Sequence, residues 1–175
     1  MRASPMQPLR AVGFWAPPPL QVVRPDLGPA DPYVRFLAQQ RQAEIRSGNA
    51  FLPNPNDLVT FLGSIAPRQQ VLAYLDTGHV FVSSLGWSTC RCCGISGSEM
   101  GDSDLTDGTW VWPEGLSHYL RMHGVPLPEE FLASMNQNQF VVPAIRGARL
   151  LDVPLPHDFR FWHGWTASVY RASRS

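Results

Sequence analysis

All three cysteines of this 175-residue chain fall within Cys90-Arg91-Cys92-Cys93-Gly94, and His118 and His123 follow with four residues between them. Cysteines this close together cannot staple distant parts of a fold, because adjacent or next-but-one cysteines seldom meet disulfide geometry and one is left over. The spacing is that of metal ligands. A Cys-x2-Cys pair before glycine makes a tight turn whose amides face two thiolates, and His-x4-His lets two imidazoles meet one tetrahedral ion. Cys90, Cys93, His118 and His123 are therefore the expected ligands of one structural zinc ion (Zn2+), with Cys92 left outside the set. Five steps along an α-helix turn by about 140°, so the helix must tighten or open near Gly124 for both rings to converge. The stretch between Cys93 and His118 is long for a finger and has to fold back, as a treble-clef-like arrangement of knuckle, hairpin and helix would do.

The rest of the chain has enough apolar residues, 44% with 11% aromatic, to bury a core as one domain. Pro17-Pro18-Pro19 and neighbouring prolines mark 1–30 as an extended, partly polyproline arm, strapped over the core through Phe14, Trp15 and Leu20. The domain then occupies 31–175. Asp31-Pro32 is a helix start, and Tyr33, Phe36, Leu37 and Ile45 line one side of a helix ending near Gly48. A second helix is expected from Asn56 or Asp57 to Pro67, with Leu58, Val59, Phe61, Leu62 and Ile65 inward. Val71 to Leu75 and Val80 to Val82 read as two strands around an Asp76-Thr77-Gly78-His79 turn. Thr109 to Trp112 reads as a strand, Pro113 to Gly124 as a helix stopped by that glycine, and Pro128 to Met135 as another helix with Phe131 and Leu132 inward. From Phe140 to Val169, β-branched and aromatic residues predict two or three further strands, with Phe159, Phe161 and His163 on one side. The expected fold is α+β, a small antiparallel sheet with helices mainly on one side and the zinc-knuckle segment inserted.

Charge and hydropathy narrow the function classes. Fourteen basic residues, all arginine, balance fourteen acidic ones, which leaves no basic excess to neutralise phosphates and weighs against a zinc-finger nucleic-acid binder. No run approaches the roughly 18 to 20 apolar residues that span a bilayer, and Pro17 to Pro19 cut the N-terminal apolar patch too short for a secretory signal. A reducing, cytoplasmic setting is expected. Glu99, Asp102, Asp104 and Asp107 crowd one stretch that lacks the EF-hand order. Its simplest reading is a turn-rich loop, and its functional reading a patch for a basic protein partner. His157 and His163 lie among aromatic residues that could stack bases, although strand packing is the simpler account.

The run Asp104-Leu105-Thr106-Asp107-Gly108-Thr109-Trp110-Val111-Trp112-Pro113-Glu114-Gly115-Leu116-Ser117-His118-Tyr119, preceded by the Cys-Arg-x-Cys segment, resembles a family of uncharacterised bacterial proteins. Its Asp-Gly-x-Trp-x-Trp-Pro corner is more loosely similar to immunity-type proteins of bacterial toxin systems. The resemblance implies a bacterial origin and a shared core, and it carries over no catalytic residue. The expected function is that of a non-enzymatic, zinc-stabilised interaction protein that neutralises a toxin. The alternative is a zinc-dependent hydrolase with an open metal position, served by a carboxylate such as Glu114 or Asp107.

Overall fold

The computed structural model describes residues 8–16, 52–66, 68–145 and 157–173, together with positions 26, 28, 30–32, 34–36 and 39. In chain order its elements are β1 (Leu9–Ala11), α1 (Pro55–Leu62), α2 (Gln69–Asp76), β2 (His79–Ser83), β3 (Ser103–Thr106), β4 (Trp110–Pro113), α3 (Leu116–His123), α4 (Glu129–Gln137), β5 (His157–Asp158) and α5 (Arg160–Ala172). The strands form one five-stranded sheet in the order β2-β3-β4-β1-β5. The fold is α+β as expected, but the sheet is mixed rather than antiparallel. β3 runs antiparallel to β2 and β4, whereas β1 lies parallel to both β4 and β5.

Strand alternation sorts side chains between the two faces. Trp110 and Trp112 enter the large core cluster, and Val111 between them joins a smaller cluster with Leu9, Ala11 and Phe81. Each of α1 to α5 contributes buried side chains to the large cluster, among them Leu58, Tyr74, Leu120, Phe131 and Trp162, and among the described residues these helices add none to the small one. Residues 9–16, read as part of an arm, are built into this body: β1 sits between β4 and β5, and Trp15 is buried. Asp31 caps the helix start as expected, its carboxylate accepting from the Val34 amide at 3.4 Å. Phe36 on that helix is exposed, while Tyr33, Leu37 and Ile45 lie outside the described residues, as do Leu20 and the first seven positions.

Two segments differ from the sequence reading. Residues 69–76 form helix α2, not a strand, and bury Val71, Leu72, Tyr74 and Leu75 while Ala73 faces solvent. A short apolar run fits either period, and here the i, i+1, i+3, i+4 face wins. Gly78 is needed for a close approach rather than a left-handed turn, since a Cβ there would come within 2.7 Å of the Trp112 ring and 2.8 Å of Leu105 Cβ. In the second segment, the expected strand through Phe159 and His163 is helix α5, whose buried residues Trp162, Thr166 and Val169 follow helical spacing. The aromatic density around it fills both faces of a helix, which imitates alternation. Residues 146–156 lie outside the described residues. In α1, Leu58 is buried but Phe61 and Leu62 are exposed; the helix ends at Leu62 rather than running to Pro67, and Ile65 beyond it is exposed too. Among the described residues no helix is long and apolar enough to cross a membrane.

Candidate metal centre

The loop between β2 and β3 is closed at its base by backbone bonds from Ser84 to the Asp102 carbonyl and from Ser88 to the Gly101 carbonyl, both 2.8 Å. Further out, Thr89 and Ser96 form an antiparallel bridge, and the Cys90 amide donates to the Ile95 carbonyl at 2.8 Å. The tip turns at Gly94, which has φ +75° and donates to the Cys90 carbonyl at 3.1 Å. This turn brings the Cys92 amide to 3.4 Å from Cys90 Sγ. Gly94 is thus required by its conformation, as the sequence pattern implied.

The histidines come from α3, His118 near its start and His123 at its end. Gly124 terminates the helix in the left-handed conformation at φ +61°. The final turn opens: the Gly124 amide bonds both the Leu120 and Tyr119 carbonyls, and the Val125 amide reaches back to Tyr119 O at 3.2 Å. Both histidines lie within the helix itself, and the wider bonds are made by the amides that follow His123.

Cys90, Cys93, His118 and His123 meet so that one ligand atom from each lies within 4.8 Å of the others. Cys90 Sγ is 3.4 Å from His123 Nε2, and Cys93 Sγ is 3.5 Å from His118 Nε2. The cluster is close enough to hold a metal ion. It has an inner and an outer half, with Cys90 and His118 buried, His123 partly buried and Cys93 exposed. Cys92 stands outside the ligand set, and its side chain packs against the core. The Cys90 thiol pKa is drawn well below its ordinary value by a hydrogen bond from the Cys92 side chain, with the Cys93 and Cys92 amides adding to it against the effect of burial. Cys92 is pushed the other way by that same bond and by burial.

Residues that the spacing did not single out fix this geometry. Tyr119 lies between the two histidines on α3, and its hydroxyl accepts from the Arg91 amide at 2.9 Å, tying the cysteine turn to the helix. Burial raises the Tyr119 pKa and keeps that hydroxyl protonated. The Arg91 guanidinium bonds the carbonyls of Ala16, at 3.2 Å, and Thr89, so the turn is also tied to the segment after β1. Tyr119 was open to suspicion from its position beside His118, whereas the Arg91 contacts are tertiary and have no local signal.

The acidic stretch does not behave as one patch. Asp107 is buried. Its Oδ1 accepts from the Thr109 and Trp110 amides at 2.8 and 2.7 Å, and its Oδ2 from the Tyr74 hydroxyl at 2.7 Å, so it organises the turn into β4 and offers nothing to a partner. Asp104 pairs with His157 at 3.0 Å, and Asp102 accepts from the Ser103 hydroxyl at 2.7 Å. Glu99 reaches the metal centre instead, with Oε2 3.6 Å from His118 Nδ1. Glu114, the other carboxylate considered for an open metal site, accepts from the Asp102 and Ser103 amides at 3.1 and 3.3 Å. His157 and His163 stand apart from the four ligands. Phe159 stacks between them, and burial lowers the His163 pKa.

Fold and site define a small α+β protein with a Cys2His2 cluster able to hold a metal. Comparison with known proteins finds no matching family model, no matching curated protein and no matching solved structure.

Proposed function

We propose that this protein is a non-enzymatic interaction protein stabilised by one structural zinc ion held by Cys90, Cys93, His118 and His123. The observation that carries the zinc reading is the mutual spacing of the four donors. Zinc bonds of about 2.3 Å to sulfur and about 2.05 Å to nitrogen, at tetrahedral angles, separate sulfur from nitrogen by about 3.5 Å. Two of the four Sγ···Nε2 separations are 3.4 and 3.5 Å, and all four donors lie within 4.8 Å of one another. Two thiolates also neutralise the dication, and two cysteines with two histidines form a donor set that zinc favours. With four protein ligands no position is left for water, which is how zinc serves as a cross-link rather than as a Lewis acid. The cysteine turn followed by a histidine-bearing helix supports the treble-clef-like description. The engagement of Glu114 and Asp107 in backbone bonds weighs against the hydrolase.

The partner-binding half of the proposal rests on the loose similarity of the Asp107 to Pro113 corner to immunity-type proteins, and toxin neutralisation is its most concrete form. The balanced charge disfavours a polyanionic ligand. Metal analysis of the native protein should give about one zinc per chain. The cobalt-substituted form should show an intense tetrahedral spectrum that azide leaves unchanged. A spectrum shifted by azide would transfer support to the hydrolase, and a protein that takes up neither metal would overturn the zinc reading. Capture of one stoichiometric protein partner from the source cell is the expected result for the interaction role.

A further inference from the structure

Glu99 sits in a turn fixed by bonds from the Met100 and Gly101 amides to the Gly97 carbonyl, both 3.0 Å. That turn lies between the cysteine segment and β3 and delivers the carboxylate to the far side of the His118 ring. His118 directs Nε2 toward Cys93 Sγ at 3.5 Å, which leaves Nδ1 facing Glu99 Oε2 at 3.6 Å. The imidazole is buried, with 4% of its side chain exposed, whereas Glu99 is 61% exposed. The pair is thus a solvent-facing carboxylate backing a buried ring.

We propose that Glu99 is a positioning residue for the metal centre: it accepts a hydrogen bond from His118 Nδ1 and so fixes the ring with Nε2 free to ligate the ion. This inference rests on the metal reading given above. A neutral imidazole carries its proton on one nitrogen and ligates through the other, and a hydrogen bond at the first selects the tautomer and orients the ring. Closing 3.6 Å to a hydrogen-bond length of about 2.7 to 3.2 Å takes about 0.4 to 0.9 Å, within reach of a mostly exposed side chain. Glu99 thereby acquires a role local to His118, distinct from membership of an acidic docking patch.

The test compares the zinc affinity of the full chain with those of Glu99→Ala and Glu99→Gln, by competition with a chromogenic chelator. Removing such a partner weakens metal binding by about tenfold or more, and that loss is expected for the alanine variant. The glutamine variant keeps an acceptor oxygen and should stay within about threefold of native, by the same hydrogen-bond reasoning. Nitrogen-15 spectra of the zinc form should show His118 metallated at Nε2 and protonated at Nδ1, with the Nδ1 proton exchanging faster in Glu99→Ala. Alanine binding as tightly as native overturns the proposal while leaving the metal reading intact. Equal weakening in both variants also overturns it, since long-range attraction of the cation would then be the cause. Failure of the native chain to bind zinc removes both readings.

Discussion

Replacing Gly101 with alanine tests whether the loop that frames the metal centre is clamped by Glu114. Gly101 has φ +66°, and a Cβ on it would run into the Glu114 carboxylate, with Cγ only 2.6 Å away. The left-handed conformation costs a non-glycine residue about 1 to 2 kcal/mol. Displacing the carboxylate also breaks its bonds to the Asp102 and Ser103 amides. At about 1.5 kcal/mol for each charged hydrogen bond, these contribute about 3 kcal/mol. The reduced freedom of the unfolded chain returns about 0.4 to 1 kcal/mol, so Gly101→Ala should destabilise by about 3 to 4 kcal/mol in total. Glu114→Ala alone should lose about 3 kcal/mol, the two bonds only. In the double variant the bonds can be lost just once, which predicts a total near 4 kcal/mol and a coupling of about 3 kcal/mol. Urea unfolding at fixed zinc, analysed by linear extrapolation, measures all four corners of the cycle. Additive losses, with the double variant near 7 kcal/mol, would refute the clamp and return Glu114 to the pool of carboxylates free for chemistry.

Two further outcomes follow from the site and from the end of the sheet. Cys90→Ser should abolish stoichiometric zinc binding and lower thermal stability together, because metal binding is folding free energy, whereas Cys92→Ser should retain the metal; release of zinc by the Cys92 variant would show the ligand set to be wrong. Asp158 is held down to about 2, chiefly by its hydrogen bonds from the Arg160 side chain. Its contribution is present above its ordinary value of 3.8 and is lost as pH falls through about 2. The small stability advantage of the native chain over Arg160→Gln should therefore hold above pH 4 and shrink towards pH 2 in denaturant titrations, and an advantage that grows on acidification would contradict the sign.

The metal cluster was legible because its ligands obey local rules. A glycine-ended cysteine pair and a helix with histidines at fixed spacing carry their geometry in a few consecutive residues. The corner from Asp107 to Pro113 was legible for the same reason. What failed was the choice of period where apolar residues run together. Val71 to Leu75 has no charged residue to separate a strand face from a helix face, and Arg160 and His163 within Phe159 to Trp165 are placed so that either period fits, so the outcome depends on what packs against them. The parallel pairing of β1 could not be read either, because its register with β4 and β5 joins segments far apart in sequence. The role of Asp107 was hidden in the same way: its hydroxyl donor, Tyr74, comes from α2. Glu99 showed only a charge, and its proximity to His118 exists only once the 97–101 turn is made.

The position of β1 sets an order of assembly. The antiparallel run of β2, β3 and β4, the cysteine turn and the histidine helix all lie between residues 79 and 123, so all four residues of the candidate metal cluster come from one contiguous stretch of the chain. β1 is made much earlier, yet its neighbour Trp110 follows at the end of that stretch, and its other neighbour, Asp158, later still. The bond from the Trp162 indole to Phe14 O spans 148 residues. During synthesis the strand that ends up inside the sheet must therefore wait for both of its neighbours, while all four residues of the candidate metal cluster have already been made.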